Sequence, residues 1–168
     1  NKLNIPQDYK ILHMSSEYDV YECIINSVIR THNNIGNKPH ILCECTANEY
    51  VRQLLKFYSK KNIVDVTYVK CNIYGSITSL AVKEELDKKT THLIIISSIN
   101  PQVGAINNIK IVGEMAHKYK IPVFCDTGFM FGKYCINPVI NNIDSFNIKF
   151  NSDLLNFNLL IIHNSLLN

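Results

Sequence analysis

Short apolar runs alternate with segments of helical spacing along nearly the whole chain, and that alternation limits the folds open to it. Runs over 9–14, 40–45, 64–69, 93–98 and 121–126 read as strands, with two shorter ones over 146–150 and 157–162. Between them, 19–31 reads as a helix, and Val51, Leu54, Leu55 and Tyr58 form a stripe at i, i+3, i+4, i+7. Thr78 or Ser79 is placed to cap a helix running to Asp87. Asn107 or Asn108 is placed to cap another, whose Ile109, Val112, Ala116 and Tyr119 face inward. Turn-rich stretches at 33–39 and 74–76 punctuate the series. Alternating units of this length predict an α/β fold: a three-layer sandwich with a mostly parallel central sheet and helices on both faces. Residues 1–168 read as one such domain.

Composition narrows the partners. The chain of 168 residues is 46% hydrophobic and 18% charged, enough for one real core. A net charge of +3 is small, and the pairs Lys60-Lys61 and Lys88-Lys89 fall at helix ends, where cations suit the dipole. No nucleic-acid partner is expected. No run approaches the ~20 apolar residues of a membrane span, and no signal-peptide pattern opens the chain, so no membrane association is expected either. The first residue is Asn, which predicts a fragment or a processed form. Heavy use of Asn, Lys and Ile without Trp reads as the codon bias of an AT-rich genome. Six cysteines show neither C-x-x-C nor zinc-finger spacing, which predicts buried free thiols in a reducing intracellular compartment and no metal site. Cys43 and Cys45 are expected on one strand face.

Two apolar runs end abruptly on polar side chains. One, over 92–100, reaches Ser98 and Asn100; the other, over 121–126, reaches Asp126. Ligands of open α/β sheets bind at the carboxyl ends of strands, so Asn100 and Asp126 are expected on one rim. The pair suits a cofactor with a basic ring nitrogen. The plainer reading is that Asp126 caps a turn and Asn100 opens one before Pro101. A nucleotide-binding domain is disfavoured because no glycine-rich phosphate motif is present.

The order of these pieces resembles the large domain of the class V aminotransferase family, above all its cysteine desulfurases and selenocysteine lyases. His40-Ile-Leu-Cys-Glu-Cys-Thr-Ala-Asn48 is similar to the family's "H-I-I-T-x-x-x-E-H" strand and loop. Ile99-Asn-Pro-Gln-Val-Gly104-Ala-Ile-Asn-Asn-Ile109 is similar to its "V-N-N-E-x-G" segment, and Val123-Phe-Cys-Asp126-Thr-Gly-Phe-Met-Phe-Gly132-Lys133 to "x-H-x-D-A-x-Q-x-x-G-K". The resemblance implies pyridoxal phosphate (PLP), with Asp126 on the pyridine nitrogen and Asn100 on the ring hydroxyl. It also implies a dimer of like chains, or association with an active relative or a larger assembly.

Departures from the pattern all weaken that cofactor site. Ungapped counting puts the family's "H-K" pair on Asn151-Ser152, and a serine forms no imine. Lys149 is the nearest substitute. The stacking histidine falls on Asn48 and the glutamine of "D-A-x-Q" on Phe129. The phosphate loop "S-G-x-T-E" falls on Ser15-Ser16-Glu17-Tyr18-Asp19, where Glu17 brings negative charge to a helix N-terminus. The chain stops before the family's small C-terminal domain and the loop that carries its attacking cysteine. The expectation is a degenerate relative with no catalytic residue of its own, binding PLP weakly or not at all and kept as a binding or structural module. The alternative is an active PLP-dependent C–S or C–Se lyase, or an aminotransferase, completed by residues outside this chain.

Overall fold

The computed structural model describes residues 5–33, 37–100, 102–130, 132–134, 136–151 and 156–167. Its element order is β1(Tyr9–Met14), α1(Glu17–Asn33), β2(His40–Glu44), α2(Glu49–Lys60), β3(Asp65–Val69), α3(Ser79–Leu86), β4(Leu93–Ser97), α4(Ile109–Lys118), β5(Val123–Asp126), α5(Pro138–Asn141), β6(Ser145–Asn151) and β7(Asn156–His163). One seven-stranded sheet runs in the order β1-β7-β6-β5-β4-β2-β3. Strands β3, β2, β4, β5 and β6 are mutually parallel, whereas β7 is antiparallel to both β6 and β1. Strand β1 therefore runs in the same sense as β5 and β6, and their carboxyl ends share one rim.

Alternation along each strand divides the core into two layers. Ile41 and Cys43 of β2, Leu93 and Ile95 of β4, Phe124 of β5 and Leu160 of β7 pack against Val20, Tyr21, Ile24 and Ile25 of α1 and Val51, Leu54 and Leu55 of α2. Their neighbours Leu42, Ile94, Ile96, Val123, Cys125 and Ile161 point the other way, onto Val82 and Leu86 of α3 and Ile109, Val112 and Ala116 of α4. Each fully buried Val, Leu, Ile or Phe among them contributes ~1.5–3 kcal/mol relative to exposure. The three-layer, mostly parallel α/β architecture is as the alternation predicts.

Local chemistry sets the helix starts. Ser16 Oγ accepts from the Asp19 backbone N–H, so α1 begins two residues earlier than its apolar spacing suggests. Thr78 and Asn108 are the N-caps of α3 and α4. Helix α5 is absent from the sequence reading because four residues carry no period; Asn137 caps it and Pro138 occupies its first turn. Its carbonyls press on α4: a Cβ at Gly113 would lie 2.3 Å from Asn141 O and 2.6 Å from Asn142 O, which only glycine avoids. Tyr119 differs from expectation. It lies past the last turn of α4, 39% exposed, and its hydroxyl donates to Asp87 across 2.5 Å.

Cysteine placement is mixed. Cys43 and Cys125 are buried, while Cys23, Cys45 and Cys71 are half-buried. Cys45 lies beyond the end of β2 and does not continue the face of Cys43; its thiol meets Cys71 instead. Cys135 lies outside the described residues. Among the described residues no group of three or more His, Cys, Asp or Glu side chains is arranged to hold a metal ion, and no helix is long and apolar enough to cross a membrane.

Candidate functional site at the carboxyl rim of the sheet

Parallel pairing brings the two sequence candidates to neighbouring loops. Ser97 of β4 stands opposite Asp126 of β5, and Ser98 donates from both its N–H (2.8 Å) and its Oγ (3.0 Å) to the Asp126 carbonyl. Asn100 and Asp126 are both buried. They nevertheless serve different networks.

Asn100 is committed to its own turn. Its Nδ2 donates to Thr46 Oγ1 (2.6 Å) and the Gly75 carbonyl (2.8 Å), which uses both amide hydrogens. Its Oδ1 accepts from the N–H groups of Gln102 (2.9 Å) and Val103 (3.3 Å). This is the turn-forming role open to asparagine.

Asp126 faces a cluster drawn from four elements. Its Oδ1 accepts from the Gly128 N–H at 3.0 Å, and its Oδ2 lies 2.7 Å from the hydroxyl oxygen of Tyr21 on α1. That same hydroxyl lies 3.0 Å from Glu17 Oε1, one helical turn earlier. Glu17 Oε1 also accepts from Asn48 Nδ2 (3.3 Å), and Glu17 Oε2 from Lys149 Nζ (2.9 Å). Gly128 sits against the cluster: a Cβ there would lie 3.3 Å from Asp126 Oδ1 and 3.5 Å from Glu17 Oε1. Topology explains the meeting. Glu17 follows the carboxyl end of β1, and β6 outruns β5, carrying Lys149 past the level of Asp126.

One hydroxyl hydrogen cannot serve two carboxylates. Burial, foremost, and the adjacent Glu17 charge raise the Asp126 pKa, while burial and both carboxylates push the Tyr21 phenol far up. A raised Asp126 pKa eases the competition of the two carboxyls for the Tyr21 hydroxyl, and Lys149 pairs with Glu17 from the other side.

A second buried carboxylate was not singled out in the sequence. Glu44 closes β2 at 1% exposure, accepting from the Ser97 N–H (3.0 Å) and from Asn107 Nδ2 (2.9 Å). Asn107 also donates to the Ser97 carbonyl and accepts from the Ile77 N–H, tying three loops together. Burial, chiefly, pushes the Glu44 carboxyl up to about 7, and Asp126 adds to it. The signal available was a glutamate inside an apolar run. His40, at the opposite end of β2, is structural: it bonds Thr91 and Thr67 hydroxyls, and burial holds its pKa down at about 4.

Of the other positions singled out, Asn48 is the N-cap of α2, its Oδ1 accepting from the Tyr50 N–H. Phe129 is 48% exposed and Asn151 ends β6. Ser152 lies outside the described residues.

The fold has counterparts among known proteins. The family model for aminotransferase class V matches residues 1–148. This chain belongs to the class V aminotransferase family. Its curated relatives include the mitosomal cysteine desulfurase of Trachipleistophora hominis, 27% identical over 114 residues, which covers 68% of this chain and 25% of the relative. The probable cysteine desulfurase of Borreliella burgdorferi is 33% identical over 87 residues, 51% of this chain and 20% of that one. The chain therefore spans about a quarter of the length of such relatives. Among solved structures, the NifS-like protein from Rickettsia africae superposes with a TM-score of 0.80 at 18% identity, covering 97% of this chain and 44% of that one. SspA in complex with cysteine gives 0.79 at 22% identity, covering 89% and 43%. A third, from the SepCysS–SepCysE N-terminal domain complex, gives 0.68 at 15% identity, covering 94% and 42%. The class V family implies PLP as its cofactor.

Proposed function

We propose that this class V aminotransferase domain, related to cysteine desulfurases and selenocysteine lyases, is a pseudoenzyme: it keeps the fold without PLP chemistry and acts as a binding or structural module. The observation that carries this reading is the Glu17 carboxylate, held in front of Asp126 by Tyr21, Asn48 and Lys149. The residues do not fit the cofactor. A pyridinium needs an ionised Asp126, yet burial and Glu17 favour its protonated form. A phosphate dianion needs N–H groups and positive charge, but Glu17 puts a carboxylate at that helix start. Asn100 has no amide hydrogen left for a ring hydroxyl. The Lys149 amine is paired with Glu17.

By this reading the chain corresponds to the large domain of its relatives. It pairs with itself, with an active relative or within a larger assembly, as the SepCysS–SepCysE complex illustrates for a related fold. Relatives named mitosomal and mitochondrial, together with free thiols, support a reducing intracellular compartment.

One observation favours the other reading, a lyase or transferase completed by residues outside this chain. Asp126 still closes β5, and an amine, Lys149, lies in the same cluster. Incubation with PLP, borohydride reduction and peptide mapping separate the two. The pseudoenzyme reading expects no specific adduct, only scattered labelling of surface lysines. A stoichiometric adduct on Lys149 that is lost in Asp126→Ala would overturn it.

A further inference from the structure

Beside Asn100, at the same rim, two cysteines that are 26 residues apart in sequence meet. Cys45 follows the last residue of β2, and its N–H donates to the Val69 carbonyl at 2.9 Å, which fixes it against the end of β3. Cys71 stands two residues past Val69. The Cys45 thiol reaches the Cys71 sulfur at 3.7 Å, and both residues are half-buried. A disulfide has a sulfur–sulfur length of ~2.05 Å, so small side-chain rotations would bring the sulfurs into bonding range. The remaining described cysteines lack this arrangement: Cys43 and Cys125 are buried, and Cys23 lies on α1.

We propose that Cys45 and Cys71 form a reversible oxidation site for small-molecule disulfides. In the first step a thiolate of the pair attacks the small disulfide, forming a mixed disulfide and releasing one small thiolate. In the second step the other cysteine, losing its proton, attacks the protein sulfur of that mixed disulfide and expels the second small thiolate. Two protein thiols are oxidised, one small disulfide is reduced to two thiols, and the protons balance. Burial, first of all, pushes the Cys71 thiol up to about 11, so the reaction accelerates as pH rises.

The bond would act on the rim. Thr46 Oγ1 lies 3.2 Å from the Cys71 sulfur and accepts from Asn100 Nδ2 at 2.6 Å. Drawing Cys71 toward Cys45 clamps the loops after β2 and β3 around the Asn100 turn. Nothing in this inference depends on whether PLP binds.

The test titrates the full chain, fully reduced, with oxidised glutathione, then blocks free thiols and maps peptides. The expected result is loss of two of the six thiols and one linked peptide pair joining Cys45 to Cys71. Cys45→Ser and Cys71→Ser should each abolish the link and leave a lasting glutathione adduct on the remaining partner. In urea the preference for this pair should vanish, because proximity comes from the fold. A linkage to any other cysteine, Cys135 included, would overturn the assignment. So would a wild-type glutathione adduct that never resolves, or thiols that stay reduced in the folded chain while oxidising in urea.

Discussion

Tyr21 and Asp126, separated by most of the chain, meet with the phenol oxygen 2.7 Å from Asp126 Oδ2. Both are buried, and the ring of Tyr21 stands edge-on to Phe124 at 6.0 Å. The contact joins α1 to the end of β5 through a single hydroxyl, which also lies beside Glu17.

Removing that hydroxyl should be costly at neutral pH. Tyr21→Phe leaves a buried carboxyl without its partner, a loss of ~1–3 kcal/mol. Losing the hydroxyl bonds that favour ionised Asp126 leaves its raised pKa higher still in the folded variant. The deficit should therefore be larger at pH 7 than at pH 4, where a protonated Asp126 no longer needs the same donor. Urea unfolding followed by circular dichroism at the two pH values measures it. An equal deficit at both would mean that the Tyr21 hydroxyl does not favour the ionised Asp126 carboxylate.

Glu17→Ala should release Lys149. Glu17 is buried and also bonds Tyr21 and Asn48, so the change should cost ~1–3 kcal/mol, less than the usual stability of a domain. The freed amine should label several-fold faster with PLP and borohydride at Lys149 than in the parent chain. Unchanged labelling would mean that Glu17 does not restrain it.

Asn100→Asp tests the turn-forming role. The substitution turns a donor into an acceptor facing the Thr46 hydroxyl and the Gly75 carbonyl. A loss of ~2–3 kcal/mol in thermal or urea unfolding is expected. A variant as stable as the parent would reopen a ligand-facing role for that amide.

Two buried groups should give opposite pH trends. His40 titrates near 4 in the folded chain against 6.5 for the free side chain, so the unfolded state binds more protons and stability falls as pH drops through that window. Allowing for screening, ~1–2 kcal/mol is at stake. Glu44 is raised to about 7 from 4.5, so its contribution falls as pH rises from about 4.5 to 7. Melting temperature recorded from pH 4 to 8 in His40→Gln should lose the acid-side decline. If the decline persists unchanged, His40 is not its source.

Strand positions were readable because apolar runs bounded by turn residues have few other uses, and all seven were found within a residue or two. Asp126 was readable as a strand terminus for the same reason. The cluster around it was not. Residues 17, 48, 126 and 149 meet only because β1, β2, β5 and β6 share one direction, a fact of sheet order that no local pattern records. Asn100 illustrates the converse: the family resemblance implied a place on the ring hydroxyl, whereas its oxygen accepts from the N–H groups of its own turn. Glu44 escaped notice because an acid within an apolar run declares burial but not the partners that make burial tolerable.

The antiparallel pairing of β1 with β7 sets a late step in the assembly of this sheet. Tyr9 pairs with His163 and Met14 with Asn158, so β1 waits for a partner strand made much later in the chain. Until β7 emerges from the ribosome, β1 lacks its only neighbour among the described strands, and the edge of β6 that β7 will cover is unpaired. The parallel strands from β2 to β6 can assemble during synthesis, but closure at this edge is a late, long-range event of the slow kind. A nascent chain held short of residue 156 would carry an open sheet edge and depend on chaperones to keep it from pairing with other chains.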